Sequence, residues 1–172
     1  MKPKSSIQNQ ASRIKPAKAK ENSPAEALSK IYRYCAYQER SHHEVKDKLF
    51  EYGLRSSEVD EILSQLIIEG FLNEERYAKT FAGGKFRMMK WGKLKIQRAL
   101  EMEGLTPKCI SRGLAEIDSK DYSKTLVSLI KKKSTQTNEP NLFKKKNKIA
   151  QFVIGKGYEP ELVWESINEL YS

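Results

Sequence analysis

A repeat of about 50 residues constrains the fold of this chain more strongly than any other feature of its sequence. Gly53 recurs after 51 residues as Gly104, and after 53 more as Gly157. Apolar residues follow at the same offsets: Val59, Ile110 and Val163; Leu63, Leu114 and Ile167; and Leu66, Ile117 and Leu170. Self-similarity with this period is typical of arrays in which each unit contacts mainly its neighbours. The sequence therefore predicts a tandem array.

Helix start and stop signals indicate three helices in the first unit. Ser23-Pro24-Ala25-Glu26 and Ser41-His42-His43-Glu44 both have the spacing of a capping box, and proline suits the first helical turn. The second helix stops at Gly53, where glycine can adopt a positive φ. A third helix, with Ser56 or Ser57 as its N-cap, ends at Gly70.

The second and third units repeat this arrangement with different connections. The pattern predicts a helix that opens at Tyr77, a basic connector from Lys85 to Lys93, and a helix that ends near Gly104. About eight extra residues in the third unit fall in the segment 133–140, whose composition is that of a loop.

These patterns predict an all-α protein, an elongated tandem array of three three-helix repeats with about nine helices. The expected divisions are a basic tail at 1–22 and helical repeats at 23–72, 73–118 and 119–172. The tail has almost no apolar side chains, so we expect it to be disordered. It is either a nucleic-acid-binding arm or a solubilising extension.

The net charge of +10 favours an anionic partner, with nucleic acid first and an acidic protein face second. The charge is unevenly spread: residues 25–72 carry six basic and nine acidic side chains, or −3. Residues 73–118 and 119–172 each carry ten basic and six acidic side chains, or +4 apiece. One acidic unit is therefore followed by two basic units.

Nothing in the sequence resembles an active site, so we expect a protein that is not an enzyme and needs no cofactor. His42 and His43 are adjacent, point about 100° apart on a helix, and have no third metal ligand nearby. Cys35 and Cys109 are isolated and are expected to be buried thiols. Since no signal peptide or membrane-spanning segment is recognisable, we expect a cytoplasmic protein without membrane contact.

Two basic segments are the candidate contact sites. From Arg76 to Arg98 there are eight basic residues and no acidic one, and aromatic and Met side chains lie between the cations. The candidate contact residues here are Lys85, Arg87, Lys90, Trp91, Lys93, Lys95 and Arg98. Trp91 or Phe86 could stack on a base or fill a pocket, or both could pack in the core.

The second basic segment surrounds the expected loop of the third unit. It contains the candidate contact residues Lys131, Lys132, Lys133, Lys144, Lys145, Lys146 and Lys148, with Glu139 as the one acidic residue among them. Dense like charge in a polar loop favours a mobile segment that meets a polyanion. Lysines alone provide a salt-sensitive attraction that does not depend on sequence.

The order and spacing of several motifs resemble the RecX family of RecA regulators. Arg40-Ser41-x-x-Glu44-Val45-x-x-Lys48-Leu49 is similar to the first-repeat signature of that family. Gly70-Phe71-Leu72-Asn73-x-x-Arg76-Tyr77-Ala78 is similar to its hinge, and Trp91-Gly92-Lys93-x-x-Ile96-x-x-x-Leu100-x-x-x-Gly104-Leu105 to its second repeat. The resemblance covers about residues 25–171.

The resemblance implies a non-enzymatic modulator that lies in the groove of the RecA filament on single-stranded DNA. Such a protein blocks filament extension or promotes disassembly, and so inhibits ATPase, strand-exchange and co-protease activities. The DNA contact is either direct or through the filament, and a monomer is the simplest interpretation. Two alternatives stay open: a stand-alone helical DNA-binding module, and a helical adaptor that scaffolds another protein.

Overall fold

The computed structural model describes residues 23–172, which form nine α-helices and no strand. The helices are α1 (Pro24–Tyr37), α2 (His42–Glu51), α3 (Ser56–Ile68), α4 (Glu74–Met89), α5 (Lys93–Met102), α6 (Pro107–Ala115), α7 (Ser119–Gln136), α8 (Leu142–Gly155) and α9 (Pro160–Leu170). The predicted all-α array of three three-helix units is therefore confirmed. The domain boundaries stay a prediction, and the predicted tail at 1–22 lies outside the described residues.

The two predicted capping boxes are both present. The Ser23 hydroxyl accepts the N–H of Glu26 at 3.3 Å, and the Glu26 carboxylate accepts the N–H of Ser23 at 3.1 Å. Ser41 and Glu44 form the same reciprocal pair at 3.0 and 2.9 Å. Each pair satisfies backbone N–H groups that have no partner inside the helix. Local sequence therefore determines where α1 and α2 begin.

The start of α3 differs slightly from the prediction. The N-cap is Arg55 rather than Ser56 or Ser57, and it has no side-chain cap. The Glu58 carboxylate accepts the N–H of Arg55 at 2.8 Å, which is one of the two hydrogen bonds of a capping box. The other, to a side chain at the N-cap, is missing.

Helix α4 is longer at both ends than the sequence pattern predicted. It begins at Glu74 rather than Tyr77, because the Asn73 side chain accepts the N–H of Arg76 at 2.8 Å and caps it. It then continues to Met89, and Lys90 ends it in the left-handed conformation with φ of 55°. The predicted basic connector from Lys85 to Lys93 is wrong over most of its length, because residues 85–89 are helical.

Helix α7 also extends further than predicted. The segment 133–140 was expected to be a loop, but helix continues to Gln136. The buried residues Tyr122, Leu126 and Ile130 recur at every fourth position, so that the helix has a continuous apolar face as far as Ile130. The second group of lysines therefore lies on the last turns of α7 and the first turns of α8, not in a polar loop.

Gly53, Gly104 and Gly157 adopt φ values of 89°, 76° and 95°. Each ends the second helix of its unit in a conformation that side chains with a Cβ rarely adopt. The repeated glycines detected in the sequence are therefore equivalent in conformation.

The buried apolar side chains form two separate clusters. One lies within α1–α3 and the segment that follows, from Ala27 to Leu72. The other is continuous through α4–α9, from Tyr77 to Ile167. The second and third units therefore share one core, whereas the first unit has its own.

We expect Gly84→Ala to stabilise the chain by about 0.5–1 kcal/mol, because glycine inside a helix is entropically unfavourable. A Cβ at Gly84 would have no neighbouring atom within 4 Å beyond its own helix backbone. Urea unfolding followed by circular dichroism measures the change. Gly83→Ala is the matched control and should gain less, since its Cβ would lie 2.8 Å from the Arg87 guanidinium. A loss of stability at position 84 would contradict the prediction.

Candidate functional site

Trp91 lies half-buried between the end of α4 and the start of α5, with two lysines against its indole ring. The ammonium of Lys85, from α4, is 5.1 Å from the ring centroid, and that of Lys95, from α5, is 4.5 Å away. Lys85 also lies 5.1 Å from the ring of Phe81. Cation–π attraction of this kind holds an ammonium in place without neutralising its charge.

A second aromatic ring in the third unit carries a similar pair of lysines. The ammonium of Lys133, from α7, is 4.9 Å from the ring centroid of Phe152, and that of Lys156, at the end of α8, is 5.8 Å away. Lys156 connects this ring to the Trp91 region, since its carbonyl accepts the N–H of Gly92 at 2.9 Å. We call the residues Lys85, Trp91, Lys95, Lys133, Phe152 and Lys156 the cationic surface.

The predicted contact lysines and arginines are almost all without an acidic partner. Within residues 23–172, the ion pairs of the structure include Lys148, which binds Glu139 at 2.7 Å, and none of the other predicted contact cations. Some other cations are paired: Lys48 with Glu51 at 2.6 Å, and Lys79 with Glu75 at 3.0 Å. The predicted contact cations other than Lys148 thus keep an uncompensated charge, and all of them lie on the second and third units.

Three further predicted residues of the first basic segment, Lys93, Lys90 and Arg87, contact groups other than the Trp91 ring. Lys93 places its ammonium 4.9 Å from the ring centroid of Tyr122. Burial, and a hydrogen bond to Glu159, raise the pKa of the Tyr122 phenol well above its ordinary value, so that the ring beneath Lys93 stays neutral. Lys90 donates to the Arg87 carbonyl at 2.7 Å, and the Arg87 guanidinium folds back over α4.

The remaining predicted residues are dispersed. Lys146 faces α9, where it donates to Asn168 at 3.3 Å. Lys148 is neutralised by Glu139. The other predicted cations lie on α5, α7 and α8, and no side-chain hydrogen bond, ion pair or cation–π contact among the described residues joins them to the cationic surface: Arg98, Lys131, Lys132, Lys144 and Lys145. Their role in binding stays a prediction.

Phe86 does not belong to the surface, because it is 7% exposed and packs in the core, as one of the two sequence interpretations proposed. Two residues of the cationic surface, Lys156 and Phe152, were not predicted from the sequence. The repeat could have drawn attention to Lys156, because it directly precedes the repeated glycine Gly157, where the second unit has Glu103 before Gly104. Phe152 carries no such signal.

The isolated histidines and cysteines do not form a site. His42 lies 3.7 Å from Glu74, and His43 lies 3.5 Å from Asp47. Burial raises the pKa of the Cys35 thiol to about 11, so that the thiol is protonated and unreactive at neutral pH. Cys109 is half-buried rather than buried as predicted. In the described part of the chain no group of three such side chains could hold a metal ion.

Residues 23–172 contain no helix with the length and apolar character needed to cross a membrane.

Two sequence models of known protein domains match this chain. One, described as the second three-helix domain of RecX, matches residues 73–114. The other, described as the first three-helix domain of RecX, matches residues 27–66. The matches fall on the first and second units.

Curated relatives and solved structures agree with these matches. The chain is 23% identical over 137 residues to the "Regulatory protein RecX" of Bacillus mycoides and 29% identical over 139 residues to that of Clostridium perfringens. Each alignment covers 80% of this chain, but 51% and 61% of the relatives, so the chain spans little more than half their length. The crystal structure of RecX from Lactobacillus salivarius superposes with a TM-score of 0.73 at 26% identity, covering 85% of this chain and 97% of that one.

Proposed function

Because the chain belongs to the RecX family of regulatory proteins, we propose that it binds the RecA filament on single-stranded DNA and inhibits its activities. The activities concerned are filament extension, ATP hydrolysis, strand exchange and co-protease activity. The single observation that carries the proposal is the cationic surface, in which four lysines from two units surround two aromatic rings and have no acidic partner among the described residues.

The chemistry of this surface suits an extended anionic partner. Lys85 and Lys95 in the second unit and Lys133 and Lys156 in the third hold their ammonium groups on aromatic faces, so binding need not break an internal ion pair. An elongated array can contact more than one protomer of a filament. The acidic first unit, at −3, supplies a face of opposite sign for a basic part of the same assembly.

The experiment measures ATP hydrolysis by RecA on single-stranded DNA, with the protein added well below one molecule per RecA protomer. We expect the rate to fall at these substoichiometric amounts, because a molecule wedged in or capping a filament affects many protomers. An equal amount of a globular protein of similar net charge serves as the control. It should leave the rate unchanged.

The outcome separates the proposal from its two competitors. An unchanged ATPase rate together with tight binding to DNA alone, with a sequence preference that survives moderate salt, would favour a stand-alone DNA-binding module. An unchanged rate together with a partner captured in the absence of DNA and RecA would favour a helical adaptor. Either result would refute the proposal.

A further inference from the structure

The two junctions between successive units have the same geometry but different chemistry. Each places the start of the second helix of one unit against the end of the second helix of the next. In the first junction these positions are the N-cap Ser41 of α2 and the C-cap Glu103 of α5. In the second they are the N-cap Gly92 of α5 and the C-cap Lys156 of α8.

The second junction, between α4–α6 and α7–α9, is closed by main-chain contacts. Gly92 donates its N–H to the Lys156 carbonyl at 2.9 Å, and Leu94 donates to the Gly157 carbonyl at 3.0 Å. A Cβ at Gly92 would lie 2.2 Å from the carbonyl carbon of Gly157, so the two backbones are in direct contact. These amides join two units that already share one apolar core.

Aromatic side chains close the second junction further. Tyr122 accepts the N–H of Lys93 at 3.0 Å and donates to Glu159 at 2.6 Å. Its ring packs across the junction against that of Phe86, with the centroids 5.8 Å apart. Within the third unit it stacks on the fully buried Tyr158, at a centroid distance of 4.8 Å. Such contacts can be lost only together with core packing.

The first junction, between α1–α3 and α4–α6, is made by polar side chains. Ser41 donates its hydroxyl to Glu103 at 2.6 Å, and His43 lies 3.9 Å from the same carboxylate. His42 lies 3.7 Å from Glu74. In the described part of the chain, no backbone hydrogen bond joins residues 23–72 to residues 74–172.

The Arg76 side chain, which is 47% exposed, also crosses the first junction. It donates to the Glu39 carboxylate and to the carbonyls of Gly70 at 2.9 Å and Phe71 at 3.3 Å. Three buried polar atoms in this region have no hydrogen-bond partner within the protein: Glu39 Oε2, Arg40 Nε and His42 Nε2. Exposed ion pairs are weak and are screened by salt. Water can therefore replace the exposed contact between Arg76 and Glu39 at little cost.

We infer that the first junction is a joint about which α1–α3 reorient, whereas α4–α9 form one rigid body. The separate apolar clusters, the absence of backbone bonds across the first junction in residues 23–172, and the polar character of its contacts all lead to this assignment. The cationic surface lies wholly on the rigid body. The acidic first unit can therefore change its angle to a partner while the basic surface stays fixed. This inference concerns the free protein and does not depend on the proposed function.

Distances between spin labels test the joint directly. Cysteine substitutions at the exposed residues Ser57, Ser111 and Glu165 place one label on each unit, in a chain with Cys35 and Cys109 replaced by alanine. We expect the 57–111 distance distribution to be at least about twice as broad as the 111–165 distribution, since only the first junction opens locally. Equal widths would overturn the inference.

High salt and a double variant distinguish flexibility confined to the polar first junction from flexibility of both junctions. Raising the salt from about 0.1 to about 1 M should broaden the 57–111 distribution and leave 111–165 unchanged, because ionic contacts are screened. Arg76→Ala with Glu103→Ala should have the same selective effect at low salt. If both distributions respond equally, the assignment of a single joint is wrong.

Small-angle X-ray scattering on the unsubstituted protein provides a measurement that needs no label. At high salt we expect the profile to require more than one orientation of α1–α3 relative to α4–α9. A single rigid arrangement that fits the profiles at both salt concentrations would contradict the inference, whatever the labelled variants show.

Discussion

Gly92→Ala is expected to destabilise the chain by about 3 kcal/mol, because the added methyl group has no space at the second junction. Its Cβ would lie 2.2 Å from the carbonyl carbon and oxygen of Gly157 and 2.3 Å from the nitrogen of Tyr158. All three are backbone atoms, so no side chain can rotate away. The φ of Gly92 is −77°, which alanine adopts readily, and the effect is therefore steric.

Relief of this clash requires the second and third units to move apart. That movement lengthens the bond from the Gly92 N–H to the Lys156 carbonyl and the bond from the Leu94 N–H to the Gly157 carbonyl. It also loosens the packing of Phe86, from the second unit, against Tyr122, from the third, within the shared core. Loss of packing and hydrogen bonds together accounts for the size of the expected effect.

Equilibrium unfolding in urea, followed by circular dichroism, measures this effect. The matched control is Gly155→Ala, three residues before the Tyr158 contact, where a Cβ would have no neighbour within 4 Å. Gly155 ends α8, so the control should change the free energy of unfolding by no more than about 1 kcal/mol. A Gly92→Ala protein as stable as the control would show that the units are not in backbone contact.

The repeat and the caps made most of the fold predictable from sequence. Capping boxes at Ser23 and Ser41 involve groups three residues apart, so local chemistry is sufficient to place them. The start of α4 was predictable in the same way, since Asn73 caps it through a group three residues away, although the prediction placed it at Tyr77. The C-terminal ends of α4 and α7 were not: the basic residues from Lys85 onward and the polar residues from Lys133 onward were interpreted as connecting segments. In both helices, packing on neighbouring helices outweighs weak local propensity.

The candidate site was predictable in composition but not in arrangement. The absence of acidic residues from the first segment correctly indicated that the cations from Lys85 to Arg98 have no ion-pair partner within residues 23–172. The same did not hold for Arg76 and Lys79, which pair with glutamates outside the segment. The sequence could not show that Lys156 contacts Gly92, since 64 positions separate them and the hydrogen bond between them depends on how the second and third units pack. Nor could it show that Lys146 turns towards α9 and that Glu139 neutralises Lys148.

Charge reversal on the cationic surface is expected to have the largest effect on binding. We predict that Lys95→Glu with Lys156→Glu weakens binding to the RecA filament on single-stranded DNA at least about tenfold, by replacing attraction with repulsion. Lys95 lies over Trp91 and Lys156 over Phe152, so the pair removes one cation from each ring. Fluorescence anisotropy of the labelled protein against preformed filaments measures the change, and ATPase inhibition should shift in parallel.

The matched control is Arg33→Glu with Arg55→Glu, which makes the same change in net charge on the first unit. Both side chains are exposed, and neither belongs to the predicted contact residues. We expect this control to weaken binding less than about twofold, because distant exposed charges are largely screened. Circular dichroism should show that both variants fold.

The dependence of binding on salt then identifies which partner the surface contacts. If Lys95 and Lys156 neutralise phosphates, the double variant should reduce the slope of log affinity against log salt by about one per lysine. An unchanged slope with weakened binding would place the contact on acidic protein side chains instead. Equal losses in the variant and its control would show that net charge alone governs binding, and the cationic surface would then have no specific role.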